Sequence, residues 1–264
     1  MQIIDTHAHI FPPKIEPVST RAIGDFYLRP MCHNASVDEL LESGRRAGLT
    51  GYVVFSAATT TRQVERINDF IIEQCGLHPE FFGAGTMHKD YENFENELGR
   101  LYDAGIRGIK LHPDFQKFCI DDEKMLPVFG CLESLGMFVV THSGDYRYPY
   151  SHPDRVAKIA RLYPKMNVVA AHFGGWSMWD YARGVFRGYK NVYFDTSSTY
   201  GFTGTDAMKK AFAVFDPSHI FFGVDFPMWD HEDELRVIRS LGLPDKLTEE
   251  VLGQNFLNFF AQYN

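Results

Sequence analysis

Eight short apolar runs recur along this 264-residue chain, and amphipathic segments separate them. The runs are QIIDTHAH (2–9), YVVFSA (52–57), FFGAGTM (81–87), RGIKLHP (107–113), FVVTHSG (138–144), NVVAAHFGG (167–175), NVYFDTSST (191–199) and IFFGVDFP (220–227). Continuous apolar runs of this length are typical of strands that helices cover on the outside. Strict alternation of strands with helical segments such as 36–48, 93–105, 152–164 and 230–242 predicts a parallel sheet. Eight repeats predict that this sheet closes into an α/β barrel, the (β/α)8 TIM barrel.

A single domain is expected to cover residues 1–264, because such a barrel needs about 250 residues and no flexible linker divides the chain. The longest irregular segment, 11–35, directly follows the first strand. Loops of that length are unusual in a compact domain unless they are functional, so we expect an active-site loop there. The pattern of 248–264 predicts a C-terminal helix.

Charge and composition narrow the function classes. The net charge is −8 and there is no basic run, which disfavours nucleic-acid binding. No apolar run approaches the ~20 residues of a membrane span. The four cysteines are scattered and nothing resembles a signal peptide, so we expect reduced thiols and a cytoplasmic protein. The expected partner is a small-molecule substrate, and a homo-oligomer remains open.

The first strand ends in two histidines one residue apart, His7 and His9. Residues i and i+2 of a strand share a face, so both imidazoles should point the same way, together with Asp5. Two imidazoles that project together can chelate a metal ion. The alternative is a pair of buried, hydrogen-bonded histidines.

Other strands also end in ionisable residues, and a TIM barrel carries its active site at those ends. Strand periodicity turns them inward; on the sixth strand, for example, Val169 and Ala171 suit the outer face and leave the histidine inside. Buried without partners, such groups would cost several kcal/mol each, and a divalent metal removes that conflict. These residues are Lys110, His112, His142, His172 and Asp225.

Five motifs carry a family resemblance: DTHAHIF, GIKLHP, VVTHSG, AAHFGG and FFGVDFP, in order over residues 5–227. The chain resembles the amidohydrolase superfamily, and most closely its amidohydrolase-related branch. That branch holds metal-dependent hydrolases beside decarboxylases such as aminocarboxymuconate semialdehyde decarboxylase. The resemblance implies that the metal ligands are His7, His9, His142 and Asp225.

The resemblance also implies the remaining roles and the cofactor. Asp225 would shuttle protons, and His172 would either hold a second metal or polarise the water or substrate. Lys110 stands where binuclear members carry a carbamylated lysine, whereas mononuclear members often lack that residue. We therefore expect one zinc per chain, or two if Lys110 is carbamylated. An unmodified Lys110 could instead anchor a substrate carboxylate or form a buried ion pair with Asp225.

The loops after the fifth and sixth strands, GDYRYPY (144–150) and GGWSMWDY (174–181), should face the site. They predict an aromatic pocket in which Arg147 binds a substrate anion, with Arg21 as a second candidate. The other expected substrate contacts are Tyr146, Trp176 and Phe11.

Three functional hypotheses follow. The first is a hydrolase that uses metal-activated water on an amide, ester or lactone bond of a small anionic substrate. The second is a metal-dependent decarboxylase of an aromatic or unsaturated acid. The third, a barrel that keeps its metal site without catalysis, leaves Asp225 and His172 unexplained. A DNase of related fold is disfavoured by Lys110 and by the acidic net charge.

Overall fold

The computed structural model describes residues 1–263 and contains one sheet of eight parallel strands in chain order. The strands are β1 (Ile4–His9), β2 (Gly51–Phe55), β3 (Phe81–Thr86), β4 (Gly108–Leu111), β5 (Phe138–Thr141), β6 (Val168–Ala170), β7 (Val192–Asp195) and β8 (Ile220–Phe221). Each strand lies within one of the eight apolar runs, apart from Gly51, which precedes the second run by one residue. The predicted number and order of strands are therefore confirmed.

Backbone hydrogen bonds between the last and first strands close the sheet into a barrel. Thr6 N donates to Phe222 O, and Asp225 N donates to His7 O, both at 2.9 Å. Regular pairing of β8 with β7 is short, but the chain beyond it stays alongside β1 as far as Phe226. The fold is thus a (β/α)8 TIM barrel.

Helices surround this barrel, and the four segments in which helical periodicity predicted a helix, 36–48, 93–105, 152–164 and 230–242, all contain one. None of the described helices is long and apolar enough to cross a membrane. The α-helices in the described residues are α1 (Glu16–Tyr27), α2 (Val37–Ala47), α3 (Val64–Leu77), α4 (Phe94–Asp103), α5 (Pro113–Gln116), α6 (Leu126–Leu135), α7 (Pro153–Leu162), α8 (Trp179–Val185), α9 (Thr199–Thr203), α10 (Thr205–Phe212), α11 (His231–Ser240), α12 (Asp245–Glu249) and α13 (Asn255–Phe260).

The segment 11–35 is less irregular than its sequence indicates, because it contains helix α1. The buried residues of this helix are Glu16, Thr20 and Ile23, and two of the three are polar. Hydrophobic periodicity detects a helix by its apolar stripe, and α1 buries a narrow, mostly polar one. Hydrophobic periodicity, which predicted the other helices, therefore does not predict α1.

The C-terminal segment is not the single helix that its pattern predicts. Helix α12 passes into a π-helical turn, Glu250–Gln254, before α13 begins, and Asn264 lies outside the described residues. Within this turn, Val251 O accepts a hydrogen bond from Phe222 N at 2.9 Å. A carbonyl committed to the barrel wall is less available to its own helix, which gives a reason for the widened turn.

The lower half of the barrel interior is filled by apolar side chains. Phe256 and Phe259 of α13 pack beneath them and close the end at which the strands begin, through contacts such as Phe138–Phe259 with ring centroids 5.1 Å apart. Ionisable side chains are thereby confined to the opposite end. The interior residues are Ile4, Val53, Phe55, Ala84, Phe138, Val140, Val169 and Phe221.

Candidate metal centre

A bulge in β1 decides which of its polar side chains enter the barrel. Asp5 pairs with Tyr52 and Ala8 pairs with Val54, so β1 holds one residue more than β2 over this interval. A bulge of this kind reverses the in-and-out alternation. His7 therefore points inward, whereas the Asp5 Oδ2 atom lies 3.2 Å from the Nε2 atom of buried His231 in α11. The expectation that Asp5 would share a face with the histidines is wrong.

His7, His9 and Asp225 form a compact cluster at the mouth of the barrel. The Nε2 atoms of both histidines lie 3.5 Å from Asp225 Oδ1. The other carboxylate oxygen, Oδ2, accepts a hydrogen bond from Ser198 Oγ. All three residues are buried, and their ligand atoms lie within 4.8 Å of one another. Such a set of nitrogen and oxygen donors is suitable for a divalent ion.

Asp195 sets the orientation of His7 and was missed by sequence reasoning. It ends β7, is completely buried, and places Oδ2 2.9 Å from His7 Nδ1. A carboxylate can only accept here, so Nδ1 carries the hydrogen and Nε2 keeps a lone pair for a metal. Although burial opposes this, the charge of His7 and its hydrogen bond keep the pKa of Asp195 below its usual range. An ionisable residue at the end of an apolar run identified the other site residues, and Asp195 stands at such a position in the seventh run.

Lys110 borders the same cluster from β4. Its Nζ lies 3.0 Å from His7 Nε2 and 4.6 Å from the centre of the Phe55 ring. Burial lowers the pKa of Lys110 to about 8, although the charges of Asp195 and Asp225 raise it. The charge of the Lys110 amine therefore depends on what binds beside it.

His172 reaches the interior by a turn and not by strand periodicity. Val169 faces the barrel interior, which contradicts the outward position assigned to it. The chain leaves β6 after Ala170, and His172 adopts a left-handed φ of 60° in a 3-10 turn. Its Nδ1 atom lies 3.1 Å from Ser197 O, and its ring centre lies 4.9 Å from that of His7.

His172 separates His142 from the cluster of His7, His9 and Asp225. The Nδ1 atom of His142 lies 3.1 Å from His172 Nε2, and the His142 ring stacks on His112 with centroids 4.2 Å apart. The structure therefore brings three of the four expected ligands together and places the fourth next to His172.

Burial lowers the pKa of every imidazole in this group. The pKa of His7 falls to about 3, where burial is reinforced by the charge of Lys110. The pKa values of the other four histidines shift in the same direction and for the same first cause. Neutral imidazoles keep a free lone pair, as metal coordination requires. The residues present thus fit a divalent metal ion.

Helix α1 covers the barrel mouth, and its last residue, Tyr27, was also missed. Tyr27 Oη lies 3.0 Å from His112 Nε2, and its ring packs edge-on to Trp176 with centroids 5.0 Å apart. Trp176, an expected substrate contact, is buried at this point. The signal for Tyr27 was the length of the segment 11–35, which pointed to the segment but not to the residue.

The remaining expected substrate contacts are dispersed. Arg147 forms a bidentate pair with buried Asp145, at 3.0 and 2.8 Å, and donates to Phe26 O at 2.9 Å. Its charge is therefore already compensated, and its third contact holds the end of α1. Tyr146 is 75% exposed, Arg21 is exposed on α1, and Phe11 lines a cavity of about 310 Å³ beside α1.

Comparison with known proteins identifies relatives of this fold. No curated protein matches the chain. Among solved structures, a TIM-barrel protein of Bordetella bronchiseptica is 19% identical, with a TM-score of 0.77 over 100% of this chain and 99% of that one. A dihydroxybenzoic acid decarboxylase of Polaromonas sp. JS666, solved with bound manganese, is 15% identical with a TM-score of 0.74, covering 100% and 98%.

A probable 2-pyrone-4,6-dicarboxylic acid hydrolase of Acinetobacter baumannii is 18% identical with a TM-score of 0.74, covering 99% of this chain and 100% of that one. At these identities the structures establish the barrel alone. The family model for amidohydrolases matches residues 4–259, almost the whole chain. The chain therefore belongs to the amidohydrolase family of enzymes.

Proposed function

We propose that this protein is a metal-dependent hydrolase that cleaves an amide, ester or lactone bond of a small molecule with water. The observation that carries the proposal is the position of Asp225, whose Oδ1 lies 3.5 Å from the Nε2 atoms of both His7 and His9. A carboxylate in that position is next to any water that a shared metal ion would activate. General base catalysis requires this proximity.

One divalent ion, with zinc as the first choice, would be held by His7, His9 and Asp225, with His142 completing the set. Bound there, it would act as a Lewis acid that makes water nucleophilic near neutral pH. We propose one ion, because a second would require Lys110 to be carbamylated. A small molecule enclosed beneath α1 is the partner that this arrangement supports.

Asp225 is ionised at neutral pH, which is the form in which a carboxylate can accept a proton. Burial raises the pKa of its carboxyl, but the imidazoles of His7 and His9 outweigh burial and hold that pKa well below the usual range. The ionised carboxylate takes a proton from the attacking water and delivers it to the leaving group. Ser198 fixes the second oxygen and so orients the first.

His172 and Lys110 serve the charge that develops on the substrate oxygen. Both lie beside His7, and the imidazole or the ammonium can stabilise an oxyanion. Arg147 is paired with Asp145, so we assign it to holding α1 and not to binding a substrate anion.

Decarboxylation of an aromatic or unsaturated acid is the second candidate. Lys110, completely buried beside the cluster, is the observation that favours it, because an ammonium there could hold a substrate carboxylate. The fold shared with the Polaromonas decarboxylase is compatible with this alternative. A screen of the metal-loaded protein against lactones, acylated amines and aromatic carboxylates, with hydrolysis and CO2 release both measured, distinguishes the two reactions.

Replacing Asp225 by Asn tests the mechanism. Asparagine has nearly the same shape and a carbonyl oxygen for the metal, but it is a very poor base. We expect metal content and melting temperature to stay close to wild type while kcat falls about 10²–10⁴-fold. Asp103→Asn, which changes an exposed carboxylate on α4, is the control and should leave kcat unchanged. A metal-loaded Asp225→Asn enzyme with near wild-type kcat would refute the role of Asp225.

A further inference from the structure

Asp114 lies behind His142, and no hydrogen bond joins the two side chains. It follows β4 and is 3% exposed, and its Oδ2 lies 3.8 Å from His142 Nε2. Asp114 Oδ1 and His142 Nε2 are both buried and have no hydrogen-bond partner among the described residues. An unsatisfied buried polar atom costs about 1–3 kcal/mol, so each of these two atoms requires an explanation.

The tautomers of the neighbouring histidines supply that explanation. Ser197 O lies 3.1 Å from His172 Nδ1, and a carbonyl can only accept, so Nδ1 carries the hydrogen. In neutral His172 the Nε2 atom is then an acceptor, and His142 Nδ1, 3.1 Å away, is the donor. His142 Nε2 is left with a lone pair that faces the Asp114 carboxylate. When Asp114 is ionised, two acceptors face one another with no hydrogen between them.

Metal binding would resolve this conflict. To ligate an ion at the His7 cluster, His142 must offer the lone pair of Nδ1, the nitrogen on the side of His172. Its hydrogen then belongs on Nε2, where the Asp114 carboxylate can accept it once the 3.8 Å separation between Oδ2 and Nε2 closes. We propose that Asp114 is a positioning residue that holds His142 as the Nε2–H tautomer and so presents Nδ1 to the metal. This inference rests on the metal centre of the proposed function.

The same arrangement already exists on the other side of the cluster. Asp195 accepts the Nδ1 hydrogen of His7 at 2.9 Å and leaves Nε2 free. Asp114 would do for His142 what Asp195 does for His7. Carboxylates that accept from a ligating histidine fix its tautomer and raise its basicity.

A second cation between Asp114, His142 and Asp145 is the competing explanation, since their ligand atoms also lie within 4.8 Å of one another. The charge of Asp145, however, is compensated by its bidentate pair with Arg147. One oxygen of Asp114 already accepts from Ser151. A single uncompensated carboxylate beside one imidazole favours a shared hydrogen over a divalent ion.

The test compares Zn²⁺ affinity and stoichiometry of wild type, Asp114→Ala and Asp114→Asn, measured by competition with a chelating dye. The readout needs no substrate. We expect Asp114→Ala to weaken zinc binding about 10–100-fold. Asp114→Asn should lose less, because its amide oxygen still accepts from Nε2, and it covers the case in which the alanine variant does not fold. Asp103→Asn is again the control and should bind as wild type does.

A tautomer measurement distinguishes positioning from general loss of structure. In ¹⁵N-histidine NMR, His142 of the wild type should carry its hydrogen on Nδ1 without metal and on Nε2 with zinc. Equal zinc affinity in all variants, or a zinc-loaded His142 that keeps its Nδ1 hydrogen, overturns the inference and leaves the proposed function intact. A second zinc lost only in the Asp114 variants overturns it in favour of a cation site. If the wild type binds no zinc at all, the metal centre and the inference both fail.

Discussion

At the residue scale, the site depends on carboxylates that hold histidines. Asp195 touches His7 and also accepts from the backbone N of His172 at 2.9 Å, so one buried side chain orients the imidazole of His7 and anchors the backbone of His172. Asp5 supports β1 in a similar way, because its Oδ1 accepts from His7 N at 2.9 Å. The geometry of the proposed metal ligands therefore depends on the carboxylates behind them.

Asp195→Ala tests this dependence. His7 would lose the acceptor of its Nδ1 hydrogen, and either ring nitrogen could then carry it. We expect zinc affinity to fall about 10–100-fold, as measured by dye competition. Asp180→Asn, which changes an exposed carboxylate on α8, should leave the affinity unchanged. Wild-type affinity in a folded Asp195→Ala protein would contradict the role.

Glu234 on α11 makes a separate prediction about pH. It is 2% exposed, and burial, with the charges of Asp233 and Asp225, raises the pKa of Glu234 to about 8. The folded state thus keeps a proton that the unfolded state releases above its ordinary pKa. Stability from this group is present below about pH 4.5 and is lost as the pH rises towards 8.

Glu234→Gln removes that dependence because glutamine stays neutral. Between pH 5 and 8 we expect the free energy of unfolding of the wild type to fall relative to Glu234→Gln, by up to about 1.4 kcal/mol per pH unit. Urea denaturation at several pH values measures it, with the exposed neighbour Glu232→Gln as control. A difference between wild type and Glu234→Gln that does not change with pH would show that Glu234 is ionised in the folded protein.

At the element scale, α1 is the part of the fold best placed to control access. Two polar contacts hold its C-terminal end: Tyr27 Oη to His112 Nε2 at 3.0 Å, and Arg147 Nη1 to Phe26 O at 2.9 Å. The helix itself buries few side chains, so these contacts carry much of its attachment. Elements with little buried apolar area are those that open locally.

Tyr27→Phe removes one contact and keeps the ring. A net hydrogen bond is worth about 0.5–1.5 kcal/mol, so the open population of α1 should rise about 2–10-fold. Native-state proteolysis within 11–35 measures that population when closing is faster than cleavage. The exposed Tyr146→Phe is the matched control. Equal cleavage rates in both variants would show that the Tyr27 hydroxyl does not hold the helix closed.

At the scale of the whole molecule, apolar side chains that fill the end of the barrel where the strands begin stabilise it. The opposite end, the mouth, holds buried ionisable side chains. A ligand that binds only the folded state adds RT ln(1 + [L]/Kd) to stability, about 2.7 kcal/mol at 100 times Kd. For a chain of this size 1 kcal/mol raises the melting temperature by about 2–4 °C. Zinc at that excess should therefore raise the melting temperature by about 5–11 °C.

The variant His7→Ala with His9→Ala should show no such shift, since two of the ligands are gone, and elemental analysis should find it without metal. Scanning calorimetry with and without zinc makes the comparison. His78→Ala, which removes a half-buried histidine outside the site, should respond as wild type does. Zinc stabilisation of the double variant equal to that of wild type would place the metal elsewhere.

The sequence by itself determined the barrel and the inward position of His7, His9, Lys110 and Asp225. It could do so because strand and helix periodicities are local, and eight buried parallel strands leave few alternatives to a closed barrel. Helices with capping residues, such as α2 with Ser36 at its N-terminus and Gly48 at its C-terminus, could be predicted because these signals are also local.

Only the tertiary structure decided how those residues meet. One extra residue in β1 turned Asp5 away from the site, and a left-handed turn brought His172 into it, although neither feature alters the hydrophobic pattern. The pairs Asp195 with His7 and Asp114 with His142 join residues distant in the chain. Such contacts depend on barrel closure and strand register, which are properties of the folded whole and are not encoded in any single segment.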